Sequence, residues 1–154
     1  MSPALALWRR LEGKPLGKAL FSRFICWKAP YFATIRPRFE ELRPGRARLT
    51  MPKRRAVQNH IGTVHAIALC NLAELTAGTL TEVSIPAAMR WLPKGMQVEY
   101  LKKADSDIVA EASFAEVAEG PGRDVPVEVA LKDRSGALVC RAVITMWVSP
   151  RRTQ

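Results

Sequence analysis

Two amphipathic helices are predicted at the start of the chain, over residues 4–28, with Gly13 and Pro15 between them. In the second helix, large apolar residues recur at spacings of four, four and three, which places them on one face: Leu16, Leu20, Phe24 and Trp27. The polar residues of this segment are basic: Lys14, Lys18, Arg23 and Lys28. Such a helix can lie on a membrane or cover part of the protein's own core. We expect the second of these two roles, in which the helix covers part of the core.

Alternating apolar residues over most of the remaining chain predict antiparallel strands. Residues 35–56 predict a hairpin that turns at Pro44-Gly45, with Ala47, Leu49 and Met51 inward and Arg46, Arg48 and Thr50 outward. Three later stretches alternate as well: MQVEYLKKA, DIVAEASFAEV and VPVEVALKDRSGALVCRAVITMWVSP. The last contains a turn over residues 132–136, and its first half places on one face Val125, Val127, Val129 and Leu131.

A long helix is predicted between the hairpin and these strands, from about Thr63 to Thr79. It is apolar almost all the way round, which is typical of a helix buried on every side. A sheet covers only one side, so the other side should meet another subunit. The order of elements predicts an α+β fold in which a curled antiparallel sheet wraps one long helix. We expect a helical arm over residues 1–30 and the domain over residues 31–150.

The composition is that of one ordinary globular domain. With 154 residues, 48% hydrophobic and 25% charged, the chain falls outside the disordered and fibrous classes. No apolar run approaches the roughly 20 residues of a membrane span, and the first apolar run lacks a basic leader, so we expect a cytoplasmic protein. Cys26, Cys70 and Cys140 lie far apart among apolar neighbours, which predicts buried free thiols.

The net charge of +10 suits nucleic acid, an anionic membrane or a phosphate-bearing ligand. The cations are concentrated in one stretch: Arg36, Arg38, Arg43, Arg46, Arg48, Lys53, Arg54 and Arg55. A solvated face that keeps the protein soluble is the alternative, and both interpretations stay open.

Polar residues in the long helix indicate possible chemistry. Both histidines of the chain, His60 and His65, precede or begin the helix, and Glu74 lies in its middle. His65 and Glu74 are nine residues apart, so they point to nearly opposite sides and lie roughly 13 Å apart along the axis. They could share a site only across a dimer. Asn71, Glu74 and Gly78 share a face.

The helix start and the carboxylate are suited to acyl transfer or hydrolysis. Free N–H groups of a first helical turn can stabilise an oxyanion, and a partly desolvated carboxylate can activate water or attack a thioester. Structural roles are the alternative, because Glu74 can be hydrogen-bonded within an interface and His65 can cap the helix. A metal site is disfavoured, since the spacings of five and nine between His60, His65 and Glu74 differ from those of HExxH.

The motif Asn59-x-x-Gly62-x-x-His65, continued by Asn71-Leu72-Ala73-Glu74 and Gly78, resembles the signature of hotdog-fold thioesterases of the phenylacetyl-CoA and 4-hydroxybenzoyl-CoA branch. The stretches PYFATIRPRFEELRPG, NHIGTVHAIALCNLAEL and RWLPKGM are similar to a bacterial hotdog subfamily, so the resemblance covers roughly residues 30–149. It implies a hotdog fold and a homo-oligomer, either a dimer or a dimer of dimers.

The resemblance also implies roles for the matching residues. Glu74 takes the place of the catalytic acid, Asn59 that of an amide contacting the thioester or water, and His65 that of the residue orienting the turn. The backbone N–H of Ala66 would polarise the thioester carbonyl. Three more motif residues would line the substrate site: Gly62, Asn71 and Gly78. The family's Gly-Gly after the histidine is Ala66-Ile67 here, and these side chains crowd the approach.

Coenzyme A would enter as part of the substrate, and no cofactor or metal is implied. Its phosphates give part of the basic charge a role. The candidate ligands are Arg54, Arg55, Arg90 and Lys94, with Lys102 and Lys103 expected on the strand MQVEYLKKA.

The sequence therefore predicts an acyl-CoA thioesterase with a cross-subunit site. The alternative is a non-catalytic module that binds acyl-CoA or lipid, motivated by Ala66-Ile67 and the amphipathic arm. Nucleic-acid binding is not favoured, because Phe39 is the only aromatic residue between positions 36 and 55 that could stack on a base. Peripheral membrane contact is not favoured either. A dehydratase is least favoured, since the chain lacks an Asp-x-x-x-x-His arrangement.

Overall fold

A six-stranded antiparallel sheet and one long helix are the main elements of the structure, a computed structural model that describes residues 1–151. The helices are α1 (Pro3–Leu11), α2 (Gly17–Lys28) and α3 (Ala66–Ser84), with short 3₁₀ helices at Pro30–Ile35 and Arg55–Val57. The strands are β1 (Arg38–Arg43), β2 (Arg46–Met51), β3 (Met89–Tyr100), β4 (Ile108–Ser113), β5 (Arg123–Lys132) and β6 (Leu138–Pro150). They lie in the order β1-β2-β4-β5-β6-β3.

The sheet wraps α3, which contacts all six strands. The alternating positions of β2 and β5 place six side chains inward and fully buried: Ala47, Leu49, Met51, Val127, Val129 and Leu131. Val125, the first residue of the predicted face of β5, is half-buried. The first hairpin turns at Gly45, whose φ of +80° is a left-handed value that glycine adopts without a Cβ clash. The predicted α+β architecture is confirmed.

The predicted limits of the long helix, Thr63–Thr79, were too early at both ends. Gly78 lies within the helix because Trp91 packs against it, and a Cβ there would lie 2.9 Å from the indole ring. Hydroxyls in the last turns donate to main-chain carbonyls four residues earlier, so threonines are accommodated in a buried helix. The helix ends where Pro86 forces the preceding Ile85 into an extended conformation.

Strand β3 begins before and ends before the stretch that alternation predicted. It tolerates Pro93 because it is an edge strand of the sheet with an irregularity beside that proline. The ladder stops at Tyr100, since the amides of the next two residues both donate to the carbonyl of Val139. Lys102 and Lys103 therefore follow the strand, and the expectation that they lie on it was wrong.

Both predicted N-terminal helices are present and pack onto the hairpin. The ring of Phe21 lies 5.1 Å from that of Trp8 and 5.0 Å from that of Phe39, and all three rings are buried. The corner between the helices is so tight that a Cβ on Gly17 would lie 1.8 Å from the carbonyl oxygen of Leu11. The division into an arm and a domain stays a prediction, and these rings are shared between the two parts.

The apolar face of α2 that we expected to cover the core is exposed instead. We call it the α2 stripe, and its residues Leu16, Leu20, Phe24 and Trp27 are 79%, 55%, 37% and 75% exposed. Spacing aligned these residues correctly, but it cannot tell which face a neighbour covers. Phe21 fills the space between Trp8 and Phe39, so the opposite face of α2 is buried. No helix in residues 1–151 is long and apolar enough to cross a membrane.

Candidate active site

The loop before α3 is held by the side chain of Asn59. Its Oδ1 accepts hydrogen bonds from the amides of Ile61 and Thr63, both at 3.1 Å, and its Nδ2 donates to Oγ1 of Thr63 at 2.8 Å. Gly62 supplies the left-handed turn, with φ of +81°. Asn59 therefore shapes the approach to the helix through its carbonyl oxygen, and its predicted contact with a thioester stays a prediction.

His65 is the N-cap of α3. Its Nδ1 accepts a hydrogen bond from the amide of Ile67 at 3.0 Å, and its own amide donates to the carbonyl of Val57 at 2.8 Å. The neutral ring then carries its proton on Nε2. Ala66 is the first helical residue, and within residues 1–151 its N–H has no acceptor. This end of α3 thus offers a free amide and an exposed imidazole.

A small cavity of about 190 Å³ lies beside this helix start, and His65, Ile67, Asn71 and Thr34 are among its lining residues. We call it the helix-start cavity. Asn71 is only 8% exposed, and its Nδ2 donates to Oγ1 of Thr34 at 3.2 Å. The buried Oδ1 of Asn71 has no donor within residues 1–151. Arg54 donates to the main-chain carbonyl of Thr34, which ties the first 3₁₀ helix to this cavity.

A second, larger cavity of about 410 Å³ lies farther along α3, and Glu74 lines it with an exposed carboxylate. We call it the Glu74 cavity. Most of its other lining residues are apolar: Ala4, Ile25, Ala29, Phe32, Leu75, Gly78, Trp91 and Pro93. Lys28 and Thr79 are polar residues of the same lining. Glu82 also lines it and accepts a hydrogen bond from Nε1 of Trp91 at 2.9 Å.

Helical spacing predicted that Asn71, Glu74 and Gly78 would share one face of α3, but the structure distributes these residues between two cavities. Glu74 and Gly78 line one cavity, as their spacing suggested, whereas Asn71 joins His65 in the other. The first 3₁₀ helix explains the division, because it crosses this side of α3 with Phe32 in the Glu74 cavity and Thr34 in the helix-start cavity. Within one chain, His65 and Glu74 stand in separate cavities.

Four lining residues of these cavities were not predicted from the sequence: Thr34, Phe32, Trp91 and Glu82. The first three reach the cavities only through contacts between distant segments. The one local signal was the spacing of Gly78 and Glu82 from Glu74, by one and two turns on the same helix.

The six basic candidates do not form one cluster. Arg54 and Arg55 precede α3 in sequence, and the amide of Val64 donates to the carbonyl of Ala104 at 2.8 Å, which brings the loop containing Lys102 and Lys103 to the same end of α3. Two candidates lie toward the opposite end of β3: Arg90, whose Nε contacts Oγ of Ser149 at 3.4 Å, and Lys94, which pairs with Asp124 at 2.9 Å.

The cysteines are free, but only Cys140 is buried. The expectation of burial was wrong for Cys26 and Cys70, which are half-buried because each lies at the margin of its helix's buried face. Burial raises the pKa of the Cys140 thiol to about 11. The Sγ of Cys70 lies 3.1 Å from the hydroxyl of Tyr100, and this hydrogen bond raises the pKa of Tyr100 to about 12. The contact joins the first half of α3 to the end of β3.

The family described as a domain of unknown function, DUF4442, matches residues 17–148. The chain belongs to that family. The match spans α2, α3 and the sheet through most of β6, so it includes the α3 residues of both cavities. A comparison with curated proteins gave no match.

Solved structures similar to this DUF4442 chain agree on the fold. A structural-genomics protein is 49% identical, with 96% of this chain and 98% of that chain covered and a TM-score of 0.84. A Pseudomonas aeruginosa protein of unknown function, described as a probable thioesterase, is 28% identical over 86% of this chain and 96% of its own, with a TM-score of 0.77. A Haemophilus influenzae thioesterase is 13% identical over 78% and 82%, with a TM-score of 0.70. The hotdog fold is confirmed.

Proposed function

We propose that this protein is an acyl-CoA thioesterase that works as a homo-oligomer, with Glu74 as its general base or nucleophile. The observation that carries the proposal is the exposed carboxylate of Glu74 at a largely apolar cavity of about 410 Å³. A cavity of this size suits a small organic ligand. The description of the P. aeruginosa relative as a probable thioesterase supports the same reaction class.

The reaction needs a base, an oxyanion donor and an electrophilic carbonyl. Glu74 takes a proton from water as the oxygen adds to the thioester carbonyl carbon, or it attacks that carbon itself and water then hydrolyses the anhydride. The N–H of Ala66 is suited to stabilise the oxyanion. The C–S bond breaks as the tetrahedral intermediate collapses, the thiolate of coenzyme A takes a proton, and the acyl group leaves as a carboxylic acid.

The N–H of Ala66 and the carboxylate of Glu74 lie far apart within one chain. Ala66 and Glu74 are eight residues apart on α3, which is about 12 Å along a helix. Ile67, Cys70 and Glu74 form a face of α3 that is exposed or half-buried, beside the edge strand β3. A second copy covering this face would bring its own helix start toward Glu74, which is why we propose a homo-oligomer.

The lining of the Glu74 cavity and the positions of the basic residues indicate which substrate would fit. The apolar walls of the Glu74 cavity favour a hydrophobic acyl group, because its burial removes apolar surface from water. Arg54, Arg55, Lys102 and Lys103 at the helix-start end of α3 are the better candidates for the phosphates of coenzyme A. We do not retain Arg90 and Lys94 in this role, since both lie toward the far end of β3.

Glu74→Gln tests the proposal, with free thiol release measured over a panel of aliphatic and aromatic acyl-CoA esters. We expect at least a ~100-fold fall in turnover, since general-base catalysis contributes about that much or more, and no loss of stability because the side chain is exposed. Glu128→Gln, at an exposed position of β5, is the matched control. Undiminished hydrolysis by a folded Glu74→Gln protein would remove Glu74 from the mechanism.

Binding without hydrolysis is the second candidate, and one observation favours it. Ile67 stands where the thioesterase signature has glycine, and its side chain lines the helix-start cavity while 57% exposed. Calorimetric titration with the same esters separates the two functions. Tight binding by the unaltered protein with no thiol release over the whole panel would favour the binding module.

A further inference from the structure

The α2 stripe is an apolar surface that the fold itself does not use. Leu20, Phe24 and Trp27 lie along one side of α2, Leu16 directly precedes the helix, and all four remain between 37% and 79% exposed. Phe24 and Trp27 also contact each other, with ring centroids 6.2 Å apart. Contiguous large apolar side chains on a monomer mark an interaction surface.

The opposite face of α2 already anchors the helix to the protein. Phe21 packs between two buried rings. Ser22 accepts a hydrogen bond from the amide of Phe39 at 3.0 Å and donates to the carbonyl of Lys18 at 2.7 Å. Lys18 in turn pairs with Glu40 at 3.1 Å. The helix is therefore docked without any contribution from the α2 stripe.

Cations border the stripe. A cleft of about 560 Å³ beside it is lined by Arg23, Arg36 and Arg38, together with Cys26. Arg23 and Arg36 have no carboxylate partner within residues 1–151, whereas Arg38 pairs with Glu40 at 3.1 Å. The first 39 residues hold eight Lys and Arg against one acidic residue. Apolar and strongly positive surfaces thus meet along one helix.

We propose that α2 docks the protein on the surface of an anionic lipid bilayer. The helix would lie in the interface plane, with Leu16, Leu20 and Phe24 among the outer acyl segments and Trp27 at the boundary with water. The guanidinium groups of Arg23 and Arg36 would bind lipid phosphates, for which their planar donor arrangement is suited.

Charge selects the bilayer over a second copy of the chain. A two-fold contact through the α2 stripe would place the same patch of each copy against itself. Where the two-fold axis runs across the helices, the arginine-lined cleft of one copy would face that of the other, and like charges would repel. An anionic lipid surface satisfies both the apolar stripe and its cationic border. This inference does not depend on the proposed hydrolysis, and either can fail alone.

The experiment is flotation of the full chain with vesicles of phosphatidylcholine alone and of phosphatidylcholine mixed with phosphatidylglycerol. We expect binding to the mixed vesicles only, weakening as salt rises. Leu20→Ser should lower the partition coefficient about tenfold through lost apolar burial, and Arg23→Gln about fivefold through one lost charge near the surface. The blue shift of tryptophan emission on binding should be smaller in Trp27→Phe.

Two matched variants control for exposure and charge. Leu101→Ser changes a leucine that is 51% exposed after β3, close to the 55% of Leu20, and Arg141→Gln removes one charge from an exposed position of β6. Both should bind like the unaltered protein. The proposal is overturned if the unaltered protein does not float with mixed vesicles, or if Leu20→Ser lowers the molar mass in vesicle-free solution, which would assign the stripe to a second copy.

Discussion

At the scale of single residues, His65 caps α3 and also offers a hydrogen-bond donor to the helix-start cavity. Its Nδ1 caps α3 by accepting from the amide of Ile67, so the neutral ring keeps an N–H at Nε2 beside the helix-start cavity. Capping alone would account for a histidine at this position. Capping requires only a hydrogen-bond acceptor in the side chain, whereas a contact with a ligand in the cavity would use the N–H at Nε2.

Replacing His65 by Ala and by Asn separates the two roles. His65→Ala should lower the free energy of unfolding by about 1 kcal/mol, whereas His65→Asn should restore it, because Asn is among the best N-cap residues. Urea unfolding measures both. We expect His65→Asn to remain impaired in acyl-CoA hydrolysis despite its restored stability. An Ala variant as stable as the unaltered protein would contradict the capping account.

At the scale of elements, α3 and β3 meet through Gly78 and Trp91. The indole ring covers the glycine so closely that a Cβ would lie 2.9 Å from Cη2, and the hydrogen bond from Nε1 to Glu82 at 2.9 Å fixes the ring. Glycine costs a helix about 1 kcal/mol relative to alanine. Its presence mid-helix therefore reflects this contact, which also forms part of the wall of the Glu74 cavity.

Whether Gly78→Ala lowers or raises the free energy of unfolding should depend on Trp91. In the unaltered background we expect a net loss of about 1 kcal/mol, since an overpacked contact costs roughly 1–3 kcal/mol and outweighs the gain in helix propensity. In a Trp91→Ala background the same change should stabilise by up to about 1 kcal/mol. A thermodynamic double-mutant cycle measures the reversal, and stabilisation in both backgrounds would refute the packing argument.

At the scale of the whole molecule, hydrogen bonds to the carboxylates of Glu111 and Asp107 join neighbouring segments of the sheet. Lys132 donates to the carboxylate of Glu111 at 2.7 Å, and this hydrogen bond holds the pKa of Glu111 below its usual range. Asp107 likewise accepts from the amide of Lys53 at 2.8 Å, which lowers the pKa of its carboxyl. These contacts link β2, β4 and β5, while the net charge of the chain remains +10.

The lowered pKa of Glu111 predicts a pH-dependent contribution to stability. The group contributes fully above its unfolded-state pKa, and the contribution is lost as pH falls through the lower folded-state pKa. Glu111→Gln should therefore reduce the free energy of unfolding by about 0.5–1 kcal/mol at neutral pH, with the difference disappearing in acid. Urea unfolding at a series of pH values measures it. A difference that persists unchanged into strong acid would rule out the ionic contact as its cause.

The sequence predicted what depends on local periodicity and missed what depends on distant contacts. Alternation identified the buried faces of β2 and β5, and the apolar character of α3 identified the central helix. Helical spacing paired Glu74 with Gly78 but could not show that the first 3₁₀ helix separates both from Asn71. In the same way, spacing aligned the α2 stripe without revealing that the ring of Phe21, on the opposite face, fits between two other rings.

The contact of Trp8, Phe21 and Phe39 limits how this protein can be divided or recombined. A chimera that took over only the chain from residue 31 onward would leave Phe39 without both of its buried ring neighbours. Each aromatic ring of this kind buries roughly 150–250 Å², so the transplanted piece would carry a new apolar opening over β1. Any exchange of parts between this protein and a relative should therefore keep the first helices and the first hairpin together as one inherited unit.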